Sequence, residues 1–268
     1  MLKINGNYSL SLIRECRFIL IDLYSYFCST LTPLYLINND HSIDIIPILK
    51  HFSTALSKLS FKISKEASSY AASQLSRILA ASNTDIPGRR RALLHHANLL
   101  AFIYFKLQSL HSLPTALKAV KPHEHTLKSN FPASELTVYR YWLGRSKLSE
   151  WRIDEAYLQF NLAWRTCHQQ AYKNLRNIVK YWLTTAVIIG KCPTINFLQK
   201  YDLTFPFQNL FDYVRKGDVK KTFEWMDNID VIQFFMNMSV YTLLKEKLII
   251  ITQRSLLRRT LVHFSKKK

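Results

Sequence analysis

The stretch Lys180-Tyr-Trp-Leu-Thr-Thr-Ala-Val-Ile-Ile-Gly-Lys-Cys-Pro-Thr-Ile-Asn-Phe-Leu-Gln-Lys-Tyr201 reads as an apolar helix stopped by Gly190 and restarted by Pro193. Glycine tolerates the left-handed backbone that closes a helix, and proline fits a first helical turn. The basic segment Asn174-Leu-Arg176 precedes this run, and the periodicity predicts one helix from about Ala171 to Ile189 and another from Pro193 to about Tyr201. Upstream, Ile153, Ala156, Tyr157, Phe160, Ala163, Trp164 and Cys167 trace a single stripe of an α-helix. The small Ala156 and Ala163 let a neighbouring helix approach closely beside Tyr157 and Trp164. Downstream, Gly217 is placed to end a helix that follows Phe207, and Asp218 to cap its successor. Helix pairs in series stack into solenoids, which are interaction surfaces.

Further from this centre the pattern remains helical. Ser134 is placed to cap a helix with Leu136, Tyr139 and Leu143 on one face, and Ala97–Leu110 is apolar nearly all round, as for a helix packed on several sides. Lys121-Pro-His-Glu-His125 reads as a loop and Asn83–Gly88 as a turn. Towards the N-terminus a helix is predicted over Ser9–Thr30, broken before Pro33, and a second begins near Pro47. Residues 53–82 continue at helical spacing through Leu56, Leu59 and Ile63.

The chain has 268 residues, 48% of them apolar, enough for a sizeable core, and its 5 glycines and 8 prolines suit long helices better than many short strands. The segment Leu10–Ile37 is interrupted by Arg14, Glu15, Arg17, Asp22 and Pro33, and 229–251 by Asp230, Lys245, Glu246 and Lys247, so a soluble protein without membrane insertion is expected. Cys16, Cys28, Cys167 and Cys192 have no metal-ligand spacing and suggest reduced thiols in a nucleocytoplasmic protein. The formal charge is +19, and from Lys245 to Lys268 eight bases face Glu246 alone. Such an excess favours a polyanionic partner: nucleic acid, an anionic membrane surface or an acidic protein.

Enzyme chemistry has no support in the sequence. His95-His96 are neighbours that a helix aims in different directions, and His123 and His125 flank Glu124 without further ligands, whereas zinc needs three or four. Cys167-His168 has the residue types of a thiol nucleophile and its base, but successive helical side chains diverge by about 100°. No catalytic group, cofactor or metal site is therefore expected. Basic positions carry more information. Lys173, Arg176 and Lys180 fall at i, i+3 and i+7 and make one helix face a positive ridge, and Arg140 and Lys147 repeat the longer spacing. Arg89-Arg90-Arg91 and Lys266-Lys267-Lys268 are short basic runs of the nuclear-import or nucleic-acid type. Trp142, Trp164 and Trp182 lie on apolar stripes and read as core.

Several blocks together resemble PCI-domain proteins: Asn98-Leu-Leu-Ala-Phe-Ile-Tyr-Phe-Lys-Leu107, Tyr139-Arg-Tyr-Trp-Leu-Gly-Arg145, Glu155-Ala-Tyr-Leu-Gln-Phe160, Cys167-His168, Asn174-Leu-Arg176, Tyr181–Tyr201 and Glu246-Lys-Leu-Ile-Ile-Ile-Thr-Gln-Arg254. Within that family the chain looks like the branch holding the PCI subunit of the nuclear transcription-and-export complex 2 and signalosome subunit twelve. The resemblance implies an all-α fold, a right-handed superhelical array of TPR-like helical hairpins with at most the start of a C-terminal winged helix. It implies an N-terminal helical region at 1–88, the helical-repeat part of a PCI domain at 89–244, and the start of a truncated winged helix at 245–268. Leu256, Leu257, Leu261, Val262 and Phe264 would then lack their usual core, which makes an aggregation-prone C-terminus. The implied role is a non-enzymatic scaffold in nuclear mRNA export and transcription-coupled processes at the nuclear pore, nuclear with a cytoplasmic pool. Implied partners are a large export-scaffold subunit, a small acidic proteasome-lid-like protein, and RNA or DNA. Lys173, Arg176, Lys180, Arg254, Arg258 and Arg259 are the candidate nucleic-acid contacts. An accessory signalosome or splicing-associated subunit is the alternative within the family.

Overall fold

The computed structural model describes residues 18–30, 32, 42–83 and 90–265, and among these residues all regular structure is helical. Most of the turn expected at Asn83–Gly88, Arg89, Cys16, the first half of the Ser9–Thr30 helix and Lys266–Lys268 lie outside the described residues. The chain forms two compact units, Met1–Ser146 and Lys147–Lys268.

In the first unit, α1 (18–30) is followed by α2 (Ser42–Ser60), α3 (Lys65–Ser82) and α4 (Leu93–Lys106), which pack against one another. Ala67, Ala71 and Ala72 are buried on α3 and allow α4 to approach closely, while Leu49, Leu56, Leu75, Leu93, Leu94, Leu100 and Ile103 fill the core. Each such side chain contributes about 1.5–3 kcal/mol on burial. The second helix begins five residues before the expected Pro47, which stands inside it. Pro47 removes one ladder hydrogen bond, but buried Ile46 and Leu49 continue the stripe of Leu56 across it, so packing outweighs the loss. The long helical reading of 53–82 breaks at Ile63, because Ser64 Oγ accepts the Ala67 N–H at 3.1 Å and starts a new helix.

The expected Lys121–His125 loop is a 3-10 turn, Lys121–Thr126, between the short helices α5 (Leu113–Lys118) and α6 (Leu127–Asn130). Ser134 does not cap its helix. In α7 (Ala133–Ser149) the Leu136 N–H already bonds the Pro132 carbonyl at 3.1 Å, which puts Pro132 at the boundary and Ser134 inside the first turn. Leu136, Tyr139 and Trp142 of that helix are buried.

In the second unit, α8 (Ile153–Thr166) and α9 (Tyr172–Ile189) form the predicted hairpin. Ala156, Phe160 and Ala163 are fully buried between them, and Phe160 stacks on Tyr181 at 5.6 Å between ring centres. Gly190 ends α9 in the left-handed conformation, φ 84°, with Lys191 N–H on the Ala186 carbonyl at 2.8 Å and Gly190 N–H on Val187 at 2.9 Å. Those paired bonds satisfy carbonyls that a helix terminus leaves open. Thr194, not Pro193, is the boundary residue of α10 (Ile195–Lys200), since its carbonyl accepts the first N–H groups of that helix. There follow α11 (Thr204–Lys216), α12 (Val219–Met226), α13 (Ile229–Asn237) and α14 (Tyr241–Ser265). Gly217 ends α11 at φ 69°, and Asp218 caps α12 by accepting the Lys221 N–H at 3.1 Å, both as predicted. Leu243, Leu244, Leu248 and Thr252 bury the first half of α14, and from residue 253 onward its side chains are exposed or partly exposed.

Candidate nucleic-acid interface

The two sets of candidate cations differ in how free they are. On α9, Lys173 is exposed, but Arg176 is held. Its Nε donates to the Tyr201 carbonyl at 3.1 Å, and its Nη2 donates to the Asp202 carbonyl at 3.0 Å and carboxylate at 3.4 Å. Arg176 thus caps the open carbonyls at the end of α10, where a cation is favoured. Lys180 Nζ lies 5.7 Å from the centre of the Phe234 ring. Burial, and secondarily the Arg176 charge, push its pKa down. Among the described residues the ridge therefore presents one ammonium without an ion pair, one engaged guanidinium and one half-buried lysine. Arg140 and Lys147 are also engaged, with Glu124 at 3.1 Å and Glu150 at 3.2 Å.

The α14 set is more open. Arg254, Arg258 and Arg259 are all exposed. Arg258 and Arg259 line a groove of about 660 Å³ together with Arg215 from α11, His263, and Gly190 and Cys192 from the turn after α9. Arg259 Nη1 donates to the Lys216 carbonyl at 3.2 Å, which leaves the rest of its guanidinium available. The groove exists because two helix ends converge on α14. The chain leaves α9 at Gly190, and it leaves α11 at Gly217, where a Cβ would stand 2.7 Å from the Leu256 backbone. Arg254 is not part of this groove. Along α9, Lys180 stands ten residues before Gly190, a distance of roughly 15 Å at helical rise. Lys173–Lys180 and Arg258–Arg259 are accordingly separate basic surfaces.

Beside the groove is an aromatic pocket of about 320 Å³, walled by Tyr157, Trp182, Phe197, Lys191 and Cys192. Trp182 stacks on Trp164 at 5.3 Å and meets Phe197 edge-on at 5.7 Å, and Trp164 Nε1 donates to the Tyr201 hydroxyl at 2.9 Å. Among the described residues the buried Trp182 indole N–H has no acceptor, a state that costs about 1–3 kcal/mol. Lys191 Nζ sits 4.5 Å over the Tyr157 ring, a cation–π contact. Trp164 and Trp182, expected as core, are thus half-buried members of a cluster that reaches the surface.

The His125 side chain lies outside the described residues, and among those described no cysteine and histidine side chains pair with each other. The Cys167 thiol donates to the His168 carbonyl, while His168 Nδ1 accepts the Gln170 N–H, so thiol and imidazole do not bond each other. Burial pushes the Cys167 thiol up in pKa, against nucleophilicity. His96 Nδ1 donates to the Ala92 carbonyl at 2.8 Å, which leaves Nε2 to accept from Ser53 Oγ at 3.0 Å. His123 is buried and pairs with Asn83 Oδ1 at 3.1 Å. Among the described residues no group of three or more His, Cys, Asp or Glu could hold a metal ion, and no helix is long and apolar enough to cross a membrane.

Against known proteins, the chain is 29% identical over 173 residues to a PCI domain-containing protein of Schizosaccharomyces pombe, covering 65% of this chain and 39% of that one. It is 30% identical over 173 residues to PCI domain-containing protein 2 of Xenopus laevis, covering 64% and 41% respectively. The chain is similar to PCI-domain proteins. It is also 28% identical over 189 residues to the nuclear mRNA export protein THP1 of Saccharomyces cerevisiae, covering 66% of this chain and 41% of that one. The match spans about two fifths of these relatives' length. No family model matches the chain. Arg215, Lys191 and His263 escaped the sequence reading. They come from three separate segments, and no spacing along the chain signals that Gly190 and Gly217 bring those segments together.

Proposed function

We propose that this chain is a PCI-domain, non-enzymatic scaffold subunit of a nuclear mRNA-export or transcription-coupled complex and contributes a nucleic-acid-binding surface to it. The observation that carries the reading is the groove of Arg215, Arg258 and Arg259, a cluster of guanidinium groups with hydrogen-bond donors open to solvent. Guanidinium forks match phosphate geometry, and a chain of net charge +19 attracts a polyanion from a distance. The similarity to a protein named for nuclear mRNA export supports the process and a nuclear location. A large export-scaffold subunit and a small acidic protein are the protein partners this reading implies. The residues 245–268 then supply the start of a winged helix, and Arg254, Arg258, Arg259 and the α9 ridge supply the phosphate contacts.

The test is RNA binding by the purified chain across a salt series. Affinity falls steeply with salt, and Arg258→Ala lowers the slope of log K against log salt by about 1. A flat salt response, or binding unchanged by loss of both Arg258 and Arg259, removes the phosphate contacts. Tagged protein recovered from nuclei with an mRNA-export scaffold supports the process, and recovery with signalosome subunits instead overturns it.

A further inference from the structure

The arginine groove and the aromatic pocket are two faces of one turn. Cys192 lines both, Gly190 belongs to the groove, and Lys191 and Thr194 belong to the pocket. Nucleic acid held only by its phosphates needs the first of these features and has no use for the second. A strand with unstacked bases uses both, because phosphates track a basic groove while a base finds a ring to stack on.

We propose that the 190–194 turn is a binding site for single-stranded nucleic acid, with phosphates along Arg215, Arg258 and Arg259 and one base in the pocket of Tyr157, Trp182 and Phe197. The proposal rests on the nucleic-acid reading above and narrows it to one strand. A base entering the pocket meets three aromatic rings and displaces the Lys191 ammonium from Tyr157, which frees that cation for the adjoining phosphate. No ion pair to Lys191 forms among the described residues. On the groove side of the turn, the charges of Arg215 and Asp212 both act on the Cys192 thiol, in opposite senses. Trp182 forms part of the pocket wall, and among the described residues its buried N–H has no acceptor. A duplex cannot use the pocket, because its bases are stacked within the helix and extrusion carries an unpairing penalty.

The experiment measures a short labelled oligouridine and a labelled RNA hairpin duplex binding to the full chain by fluorescence anisotropy, with intrinsic tryptophan emission followed in parallel. Thr194→Phe fills the pocket from an exposed position whose side chain makes no cap hydrogen bond, so the fold tolerates it. Lys191→Glu reverses the rim charge at a second exposed position. Each is expected to weaken oligouridine binding about tenfold, Thr194→Phe with the duplex unaffected and Lys191→Glu with the duplex weakened less than the strand, and oligouridine is expected to quench tryptophan emission with the same midpoint as the anisotropy. Equal binding of strand and duplex, with Thr194→Phe silent and Arg258→Glu weakening both, overturns the base pocket and leaves the phosphate reading standing. Failure of either RNA to bind overturns both. An acidic phenylalanine-bearing peptide that quenches tryptophan where RNA does not also overturns it and makes the turn a protein-docking site.

Discussion

Gly190 and Gly217 take the same left-handed conformation after their helices, yet they tolerate change differently. A Cβ on Gly190 meets nothing within 4 Å, so Gly190→Ala carries only backbone strain, about 1 kcal/mol. A Cβ on Gly217 falls 2.7 Å from the Leu256 backbone nitrogen and Cα, and neither can rotate away. Gly217→Ala must therefore push α14 off α11, and a loss of several times the Gly190→Ala value is expected as a fall in urea midpoint, together with weaker RNA binding at Arg258 and Arg259. Equal losses for the two variants would refute the close approach. Both glycines were legible as helix ends. Four comparable ends were not: Gln108, Trp151, Asp202 and Ser239 also have positive φ, and each is followed by the same pair of backward hydrogen bonds. Parsing by glycine cannot find them, since here non-glycine residues adopt a backbone conformation that L-residues disfavour. Ser239 is exposed at φ 58°, so Ser239→Gly is expected to stabilise by about 1 kcal/mol, less the extra freedom glycine gains when unfolded.

At the scale of elements, α2 of the first unit is joined to α4 and to α7 by polar contacts that a hydrophobic reading passes over. His95 Nε2 meets Thr54 Oγ1 at 3.1 Å, His96 Nε2 meets Ser53 Oγ at 3.0 Å, and Lys50 bonds Glu135 at 2.6 Å. Burial first, with the Lys50 charge second, pushes the His95 pKa down from 6.5 to about 4. His96, fully enclosed, is pushed down to about 3, by burial first and then by the His95 charge. Both rings stay neutral in the folded unit while the unfolded chain protonates them below about pH 6.5. Their contribution to stability is intact above that pH and declines as pH falls towards the folded values, because the unfolded state binds more protons. The expected outcome is a urea midpoint for the first unit, followed by Trp142 emission, that drops between pH 7 and pH 5. His95→Gln should flatten that drop, and an equal drop in the variant would assign it elsewhere. The histidines themselves were legible as packed residues and not ligands. Their serine and threonine partners lie more than forty residues away in sequence, and only tertiary packing joins them.

For the molecule as a whole, the all-α class was legible because stripes such as Ile153–Thr166 and the stops at Gly190 and Gly217 depend on local chemistry. The arginine groove was legible only in part, since Arg258 and Arg259 stand in a visibly basic segment while Arg215 reaches them through the fold. That same segment carries an apolar stripe: Ile250, Leu257, Leu261 and Phe264 are 61–69% exposed and recur at i, i+7, i+11 and i+14. Two opposed forces act on it. Apolar stripes of this length associate, whereas the positive charge beside the stripe, eight bases against one acid over Lys245–Lys268, repels a second copy. Screening decides between them, because the Debye length falls from about 10 Å at about 0.1 M salt to about 3 Å at about 1 M. Self-association of the purified chain is therefore expected to rise with salt, opposite in sign to RNA binding, which weakens as salt rises. Sedimentation velocity at low and high salt reads the first effect. Leu257→Lys with Leu261→Lys should keep the chain monomeric at both, without moving the arginines of the groove. Salt-driven association that persists in that double variant would place the contact elsewhere on the surface, and association that falls with salt would make charge, not the stripe, the force that joins the copies.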